Sequence, residues 1–210
     1  MLEPQLACPE GLVYDDDAHS YLLDGEPVPS VSGLIRVIDP DQYAGIAEDV
    51  LQRAAERGNA GHKLIALDCR DDLDFESLSE LAQLHYIAWD QFRSDFGFDV
   101  EYSERCVASR KHRFAGTLDL AGRLRKHRKH RGQWLVDIKF TAALPILTGA
   151  QTAGYSLAAE ECLPGWAADT PRGCLHIVRD TYRFHEYTSR IDRAAFLASR
   201  TILNYRSMKL

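Results

Sequence analysis

The spacing of apolar residues along the chain predicts a short β region, then helices, then a mixed region of strands and helices. "LVYDD" and "HSYLLDGEPVP" read as a small hairpin with Asp24-Gly25 as turn residues. "PSVSGLIRVI" follows as a short helix that Ser30 or Ser32 would cap. A long helical stretch is expected from about Gln42 to Cys69, interrupted near "RGNAGH". A second runs from about Phe75 to Phe96, with Leu78, Leu81, Leu84, Ile87 and Ala88 at helical spacing. Three strand candidates come next, "FDVEYSERCVAS", "FAGTLDLAGRL" and "QWLVDIKF". "TGAQTAGYSLAAEEC" reads as a helix, "CLHIVRD" and "TYRFHEY" as another hairpin, and "IDRAAFLASRTILNYRSM" as a closing helix. This order predicts an α/β domain with a mixed sheet rather than a regular alternation of parallel units. No glycine-rich phosphate loop follows a strand, so a nucleotide-binding fold has little support.

Side chains alternate along a strand, and this fixes which polar groups share a face. In "LVDIKF" Leu135, Asp137 and Lys139 point one way, while Val136, Ile138 and Phe140 point the other way into a core. In "AGTLDLAG" Thr117 and Asp119 share one face, and Leu118 and Leu120 share the other. Gly116 and Gly122 bracket Asp119 and suggest a close backbone approach or a bulge.

Composition narrows the class. The chain has 210 residues, 45% of them hydrophobic, enough for one domain with a real core. Its formal net charge of −6 argues against non-specific coating of nucleic acid but leaves room for a local basic groove. Five cysteines at irregular spacing, with no CxxC, point to reduced thiols in a cytoplasm rather than a disulfide framework. No signal peptide, membrane span or zinc-ribbon spacing is visible.

Several residues have types and positions suited to chemistry. Neighbouring antiparallel strands would bring Asp119 and Asp137 together, and two close carboxylates repel unless a cation sits between them. Oxygen ligation suits a hard ion such as Mg²⁺ or Mn²⁺. Lys139 would then stabilise a developing anion or orient the attacking water, although Asp137 and Lys139 also suit a structural ion pair. His62 lies four residues from Gly58 on one helical face, and glycines in a helix interior cost about 1 kcal/mol each relative to alanine. Such a tolerance suggests close approach, and a neutral imidazole ligates Mn²⁺ well. Gln151 and Tyr155, also four apart, share a helix face that would look onto the strand ends or into the core. Glu101 and Glu104 have odd spacing and so face opposite sides, and Glu104 is the preferred candidate. The basic run "RKHRKHR" contains Arg125, Lys126, Arg128, Lys129 and Arg131. It reads either as a solvated loop or as a clamp on nucleic-acid phosphates.

Together "RGNAGH", "AGTLD", "DIK" and "QTAGY" resemble, in order and approximate spacing, the motifs of the PD-(D/E)XK nuclease superfamily, most nearly its RecB-type branch. "YLLDGEPVPSVSGLI" is similar to the "PSVT" opening of phage-type exonucleases and of the mitochondrial genome-maintenance exonuclease. The resemblance covers roughly residues 20 to 200. It implies a restriction-endonuclease-like α/β core with a mixed central sheet flanked by helices. A single domain would span residues 1–210: an N-terminal hairpin and short helix over 1–40, a helical arch over 41–97 and the nuclease core over 98–210. Metal ligands would be His62, Asp119, Asp137 and the backbone carbonyl of Ile138. Lys139 would be the catalytic lysine, with Glu104, Gln151 and Tyr155 beside it. The implied activity is Mg²⁺- or Mn²⁺-dependent exonucleolytic hydrolysis of DNA in recombination, repair or phage DNA processing. Arg57 and the basic run would guide a strand that has a free end or is single-stranded. A recombinase, a single-strand-binding protein or a helicase would be natural partners, and no membrane is implied. A structure-specific endonuclease and a catalytically silent DNA-binding or assembly module remain open. Phe140 stands where the family often has threonine, and the cysteines of iron–sulfur relatives are missing, so no iron–sulfur cluster is expected.

Overall fold

The computed structural model describes residues 8–16, 18–167 and 169–208; the first seven residues of the expected N-terminal unit lie outside this range. Three short strands come first, β1 (Leu12–Asp15), β2 (Ser20–Leu23) and β3 (Glu26–Val28), in an antiparallel sheet. The expected hairpin is thus extended by a third strand after the Asp24-Gly25 turn. Helix α1 (Val31–Ile38) begins where the Ser30 hydroxyl accepts the N–H of Gly33 at 2.9 Å. The Ala115 N–H donates to the Pro29 carbonyl, which ties this N-terminal unit to the main sheet.

Helix α2 (Glu48–Asp68) runs through "RGNAGH" without a break. The expected interruption does not occur, and the helix starts at Glu48 rather than near Gln42. Gly61 is buried and lies against the Phe140 ring, where a Cβ would come within 2.4 Å of ring carbons. The packing contact therefore offsets the low helix propensity of glycine. The second expected helix, by contrast, divides. A 3₁₀ turn covers Phe75–Ser77, and α3 (Glu80–Phe96) starts afresh with the Ser79 hydroxyl capping Ala82 N–H. Gly97 ends it at φ +56°, a left-handed value that glycine adopts without steric cost.

The main sheet has five strands in chain order: β4 (Phe98–Ser109), β5 (Phe114–Leu124), β6 (Gly132–Lys139), β7 (Arg172–Val178) and β8 (Thr181–Tyr187). All neighbours are antiparallel except β6 and β7, which run parallel. That parallel step needs a crossover, and α4 (Thr148–Cys162) provides it. Helix α5 (Arg190–Ser207) closes the chain. The protein is thus α/β, a mixed five-stranded sheet flanked by helices. One face buries Leu118 and Leu135 against α1, α4 and α5; the other buries Val136, Ile138 and Phe140 against α2 and α3. Within the 41–97 region, α3 lies against the sheet through Trp89 and Phe92, while the first turns of α2 are largely exposed. Among the described residues, no helix is long and apolar enough to cross a membrane.

Alternation along β6 follows the sequence reading, but β5 departs from it. Leu118 packs with α1, α4 and α5, whereas Leu120 packs with α2 and α3, so the two do not share a face. Regular pairing of β5 with β6 ends at Leu120 and Val136, and Glu104 on neighbouring β4 takes φ +48°. The sheet is therefore irregular on both sides of Asp119.

Candidate metal centre

Three elements converge at this irregularity. His62 comes from the middle of α2, Glu104 from β4 and Asp119 from β5, and one ligand atom from each lies within 4.8 Å of the others. His62 Nδ1 is 3.3 Å from Glu104 Oε1 and 3.6 Å from Asp119 Oδ1. Glu104 reaches this position from a left-handed backbone conformation, which is strained for a residue with a Cβ. A bulge between Val100 and Tyr102 precedes it on the same strand. Glu101 instead pairs with Arg123 at 2.7 Å, on a separate part of β4.

Asp119 is 9% exposed and serves two neighbours. Its Oδ2 accepts the Ile138 N–H at 2.6 Å, while Oδ1 faces His62. The contact that Ile138 makes with this carboxylate is thus through its N–H, not its carbonyl. Asp137 lies outside the His62–Glu104–Asp119 trio. It is 1% exposed, and Lys139 Nζ stands 3.0 Å from Oδ1, to which it donates, and 2.8 Å from Oδ2. No well-directed hydrogen bond reaches the buried Oδ2.

The electrostatics follow from burial and crowding. Burial pushes the His62 pKa down, but the Asp119 charge and the Glu104 hydrogen bond outweigh it and raise it to about 9. Burial pushes Asp119 above the ordinary carboxylate range, against the pull of His62. Burial also raises Asp137, to about 6, although Lys139 pulls it back. For Lys139 burial acts downward, and the Asp137 and Asp119 carboxylates more than compensate, so the amine stays an ammonium at neutral pH.

Tyr155 is buried on α4, and its ring lies over Gly116, where a Cβ would come 2.9 Å from the ring. Its pKa is raised, first by burial and then by the charges of Asp119 and Asp137, which outweigh a lowering by nearby Gln151, so the phenol keeps its proton. Tyr155, His62 and Glu104 line a cavity of about 780 Å³. Its outer wall includes Tyr14, Tyr21, Arg36 and Lys63, which the sequence reading did not single out. The Tyr14 and Tyr21 rings stack at 4.8 Å, and the Tyr21 hydroxyl bonds Thr117 Oγ1 at 2.9 Å. One signal was available for Thr117, which stands two residues before Asp119. The tyrosines gave none, because their place depends on how the small sheet docks.

The suggested strand-guiding residues fall into two places, Arg57 at the site end of β6 and the basic loop at the other end. Arg57 Nε donates to the Phe140 carbonyl at 3.0 Å and so fixes α2 to the end of β6. The basic loop joins β5 to β6 at the end of the hairpin away from Asp119 and Asp137, roughly 17 Å along the strand. Arg125 pairs with Asp99, and Lys126 Nζ donates to the Ser94 carbonyl at 2.7 Å. Arg128, Lys129 and Arg131 are exposed.

An imidazole and two carboxylates make a donor set suited to Mn²⁺ or Mg²⁺. The buried Asp137 Oδ2 without a directed hydrogen bond adds acceptor capacity alongside. The residues present therefore fit a hard divalent ion.

No family model matches the chain, and no curated protein matches it. Among solved structures, the crystal structure of SSO0001 is similar at 16% identity and a TM-score of 0.42, covering 86% of this chain and 77% of that one. At that distance the likeness carries neither fold nor chemistry across.

Proposed function

We propose that the protein is a divalent-metal-dependent nuclease that hydrolyses phosphodiester bonds in DNA, with a core of the PD-(D/E)XK kind and an exonucleolytic mode. One observation carries this reading: the convergence of His62, Glu104 and Asp119 within 4.8 Å, near a buried Asp137–Lys139 pair. The charges that Asp119 and Asp137 exert on both Lys139 and Tyr155 support treating these groups as one site.

A hard ion, when bound, supplies positive charge to a phosphate oxygen and acidifies a water. His62, Glu104 and Asp119 would hold it, and Asp137 would complete the set. Lys139 offsets the negative charge that builds on the phosphate as water attacks phosphorus and the ester P–O bond breaks. Asp137 fixes the ammonium in place and keeps it protonated. Tyr155 and Gln151 present hydrogen-bond donors toward phosphate oxygens. Arg36 and Lys63 on the cavity wall attract the polyanion. Hydrolysis leaves one phosphate end and one hydroxyl end.

The test uses a labelled linear single strand, a circular single strand and a duplex, each with Mg²⁺, Mn²⁺ or EDTA. Metal-dependent loss of the linear strand alone supports the exonuclease. Cutting of the circle assigns an endonuclease instead, and binding without cutting under either metal assigns a silent binding module. Lys139→Met, with folding retained, is expected to abolish cutting.

A further inference from the structure

A second cavity, of about 390 Å³, opens where the starts of β6 and β7 and the end of β8 meet α5. His130, Trp134, Arg172, Tyr187, Arg190 and Arg193 line it. Its size falls within the range of sites that take small ligands, ~300–1,000 Å³. Trp134 and Lys139 are five positions apart on β6, so this cavity and the metal centre occupy opposite ends of the strand.

Positive charge is concentrated in the β5–β6 loop, which reaches the cavity through His130. Between Asp119 and Asp137 the sequence holds six Lys and Arg residues and no carboxylate, in a chain of net charge −6. Arg123 and Arg125 are neutralised by Glu101 and Asp99, and Lys126 is bound to a backbone carbonyl. Arg128, Lys129 and Arg131 have no ion-pair partner among the described residues, and neither does Arg190, the first residue of α5. Trp134 Nε1 donates to the His130 carbonyl at 2.8 Å, which anchors the loop to the cavity wall.

The floor has a different character. Arg172 is 9% exposed and engaged with Gly149 O at 2.8 Å and Asp192 Oδ2 at 3.2 Å. It is a structural element and cancels the Asp192 charge. Glu186 lies outside the lining, 3.3 Å from His127 Nε2. Asp169 is then the one lining carboxylate, set against Arg190 in the wall and the unpaired Arg128, Lys129 and Arg131, which flank the lining residue His130 in the adjoining loop. Tyr187 is half-buried and supplies the accessible aromatic wall beside Arg190, while Trp134, 1% exposed, belongs to the core beneath the cavity.

We infer that this end of the sheet, the basic loop together with the Trp134–Tyr187 cavity, is a second binding site that holds one nucleotide unit of a single nucleic-acid strand away from the metal centre. Cations engage the phosphates on either side, and the aromatic wall receives a base. Such pairing of cationic groove and aromatic platform is how sequence-tolerant single-strand binding works. The site needs no divalent ion, so it stands or falls apart from the nuclease reading.

The experiment measures binding of a fluorescein-labelled DNA single strand to the full chain in EDTA, over a series of NaCl concentrations. The Arg128→Glu/Arg131→Glu/Arg190→Glu variant, all exposed positions, is compared with wild type after melting curves confirm folding. The variant is expected to bind at least tenfold more weakly, with a slope of log K against log salt shallower by about two. Irradiation of a bromodeoxyuridine-containing strand is expected to cross-link it within residues 128–134 or 187–193. Unchanged affinity and slope would overturn the inference. Cross-links confined to other peptides would overturn it as well. Wild-type protein that binds the strand by these residues but never cuts it under Mg²⁺ or Mn²⁺ removes the nuclease reading and leaves this site standing.

Discussion

The Asp119 carboxylate accepts the Ile138 N–H at 2.6 Å, just past the last regular pair of β5 and β6, Leu120 with Val136. A side chain here does what a backbone carbonyl does elsewhere in the ladder. Because one oxygen serves the sheet, the other is held facing His62 at 3.6 Å. Fold and site therefore separate by substitution. Asp119→Asn keeps an acceptor for Ile138 and is expected to unfold within about 1 kcal/mol of wild type in urea. Asp119→Ala strands a buried N–H and costs a further 1–3 kcal/mol, roughly. Both lose a charge from the trio, so Mn²⁺ affinity by calorimetry falls at least tenfold in each. Equal unfolding midpoints for the two variants would show that the hydrogen bond contributes nothing.

The Asp137–Lys139 pair gives the opposite kind of test. Lys139→Met leaves a carboxylate that is 1% exposed without its counter-charge. Breaking such a pair costs about 3–5 kcal/mol, whereas replacing both partners is close to neutral. Asp137→Asn/Lys139→Met is therefore expected to recover most of the stability lost by Lys139→Met. It is expected to recover none of the cutting. A double variant as unstable as the single one would mean that Lys139 is held by contacts other than Asp137.

In EDTA, His62 makes stability depend on pH. Its pKa is about 9 in the folded protein against 6.5 ordinarily, because Asp119 and Glu104 overcome the effect of burial. A raised folded value means stability that is fully present below pH 6.5 and lost as pH rises through about 9. The ring is about a quarter exposed, so solvent screens the interaction, and the loss is expected to be about 1–2 kcal/mol. Unfolding midpoints measured from pH 6 to pH 10, approximately, should fall across this window for wild type and stay flatter for His62→Gln. Parallel profiles would detach His62 from the carboxylates.

Local chemistry made most of the fold legible. Alternation in "LVDIKF" separates Val136, Ile138 and Phe140, which pack against α2 and α3, from Asp137 and Lys139. Ser30 as a cap and the boundaries of α4 follow from the same short-range rules. What failed depended on distant contacts. The glycines of "RGNAGH" read as a break because propensity does not see that Gly61 packs against Phe140, 79 positions away. The opposite faces of Leu118 and Leu120 come from the end of pairing at Asp119, which strand periodicity does not contain. In the site, Asp119 and Asp137 look alike in sequence, yet the trio takes Glu104 and leaves Asp137 with Lys139. Glu104 is the favoured glutamate of β4 in the sequence too, but the left-handed backbone from which it reaches the trio is signalled by no residue pattern.

Two glycines three positions apart in α2 carry opposite predictions. Helix propensity alone favours alanine over glycine at an interior position by about 1 kcal/mol. At Gly58 nothing lies within 4 Å of an added Cβ, so Gly58→Ala should stabilise the protein by about 0.5–1 kcal/mol. At Gly61 the same methyl would sit 2.4 Å from the Phe140 ring, which is 4% exposed and has little room to move. Overpacking of this kind costs about 1–3 kcal/mol, which exceeds the propensity gain. Gly61→Ala should therefore lower the melting temperature, and Gly61→Ala/Phe140→Leu should recover part of the loss. Because Arg57 is bound to the Phe140 carbonyl and His62 follows Gly61, displacement of Phe140 should also weaken Mn²⁺ binding. Stabilisation by both alanine substitutions would mean that α2 does not approach β6 closely, and the placement of His62 beside Asp119 would fall with it.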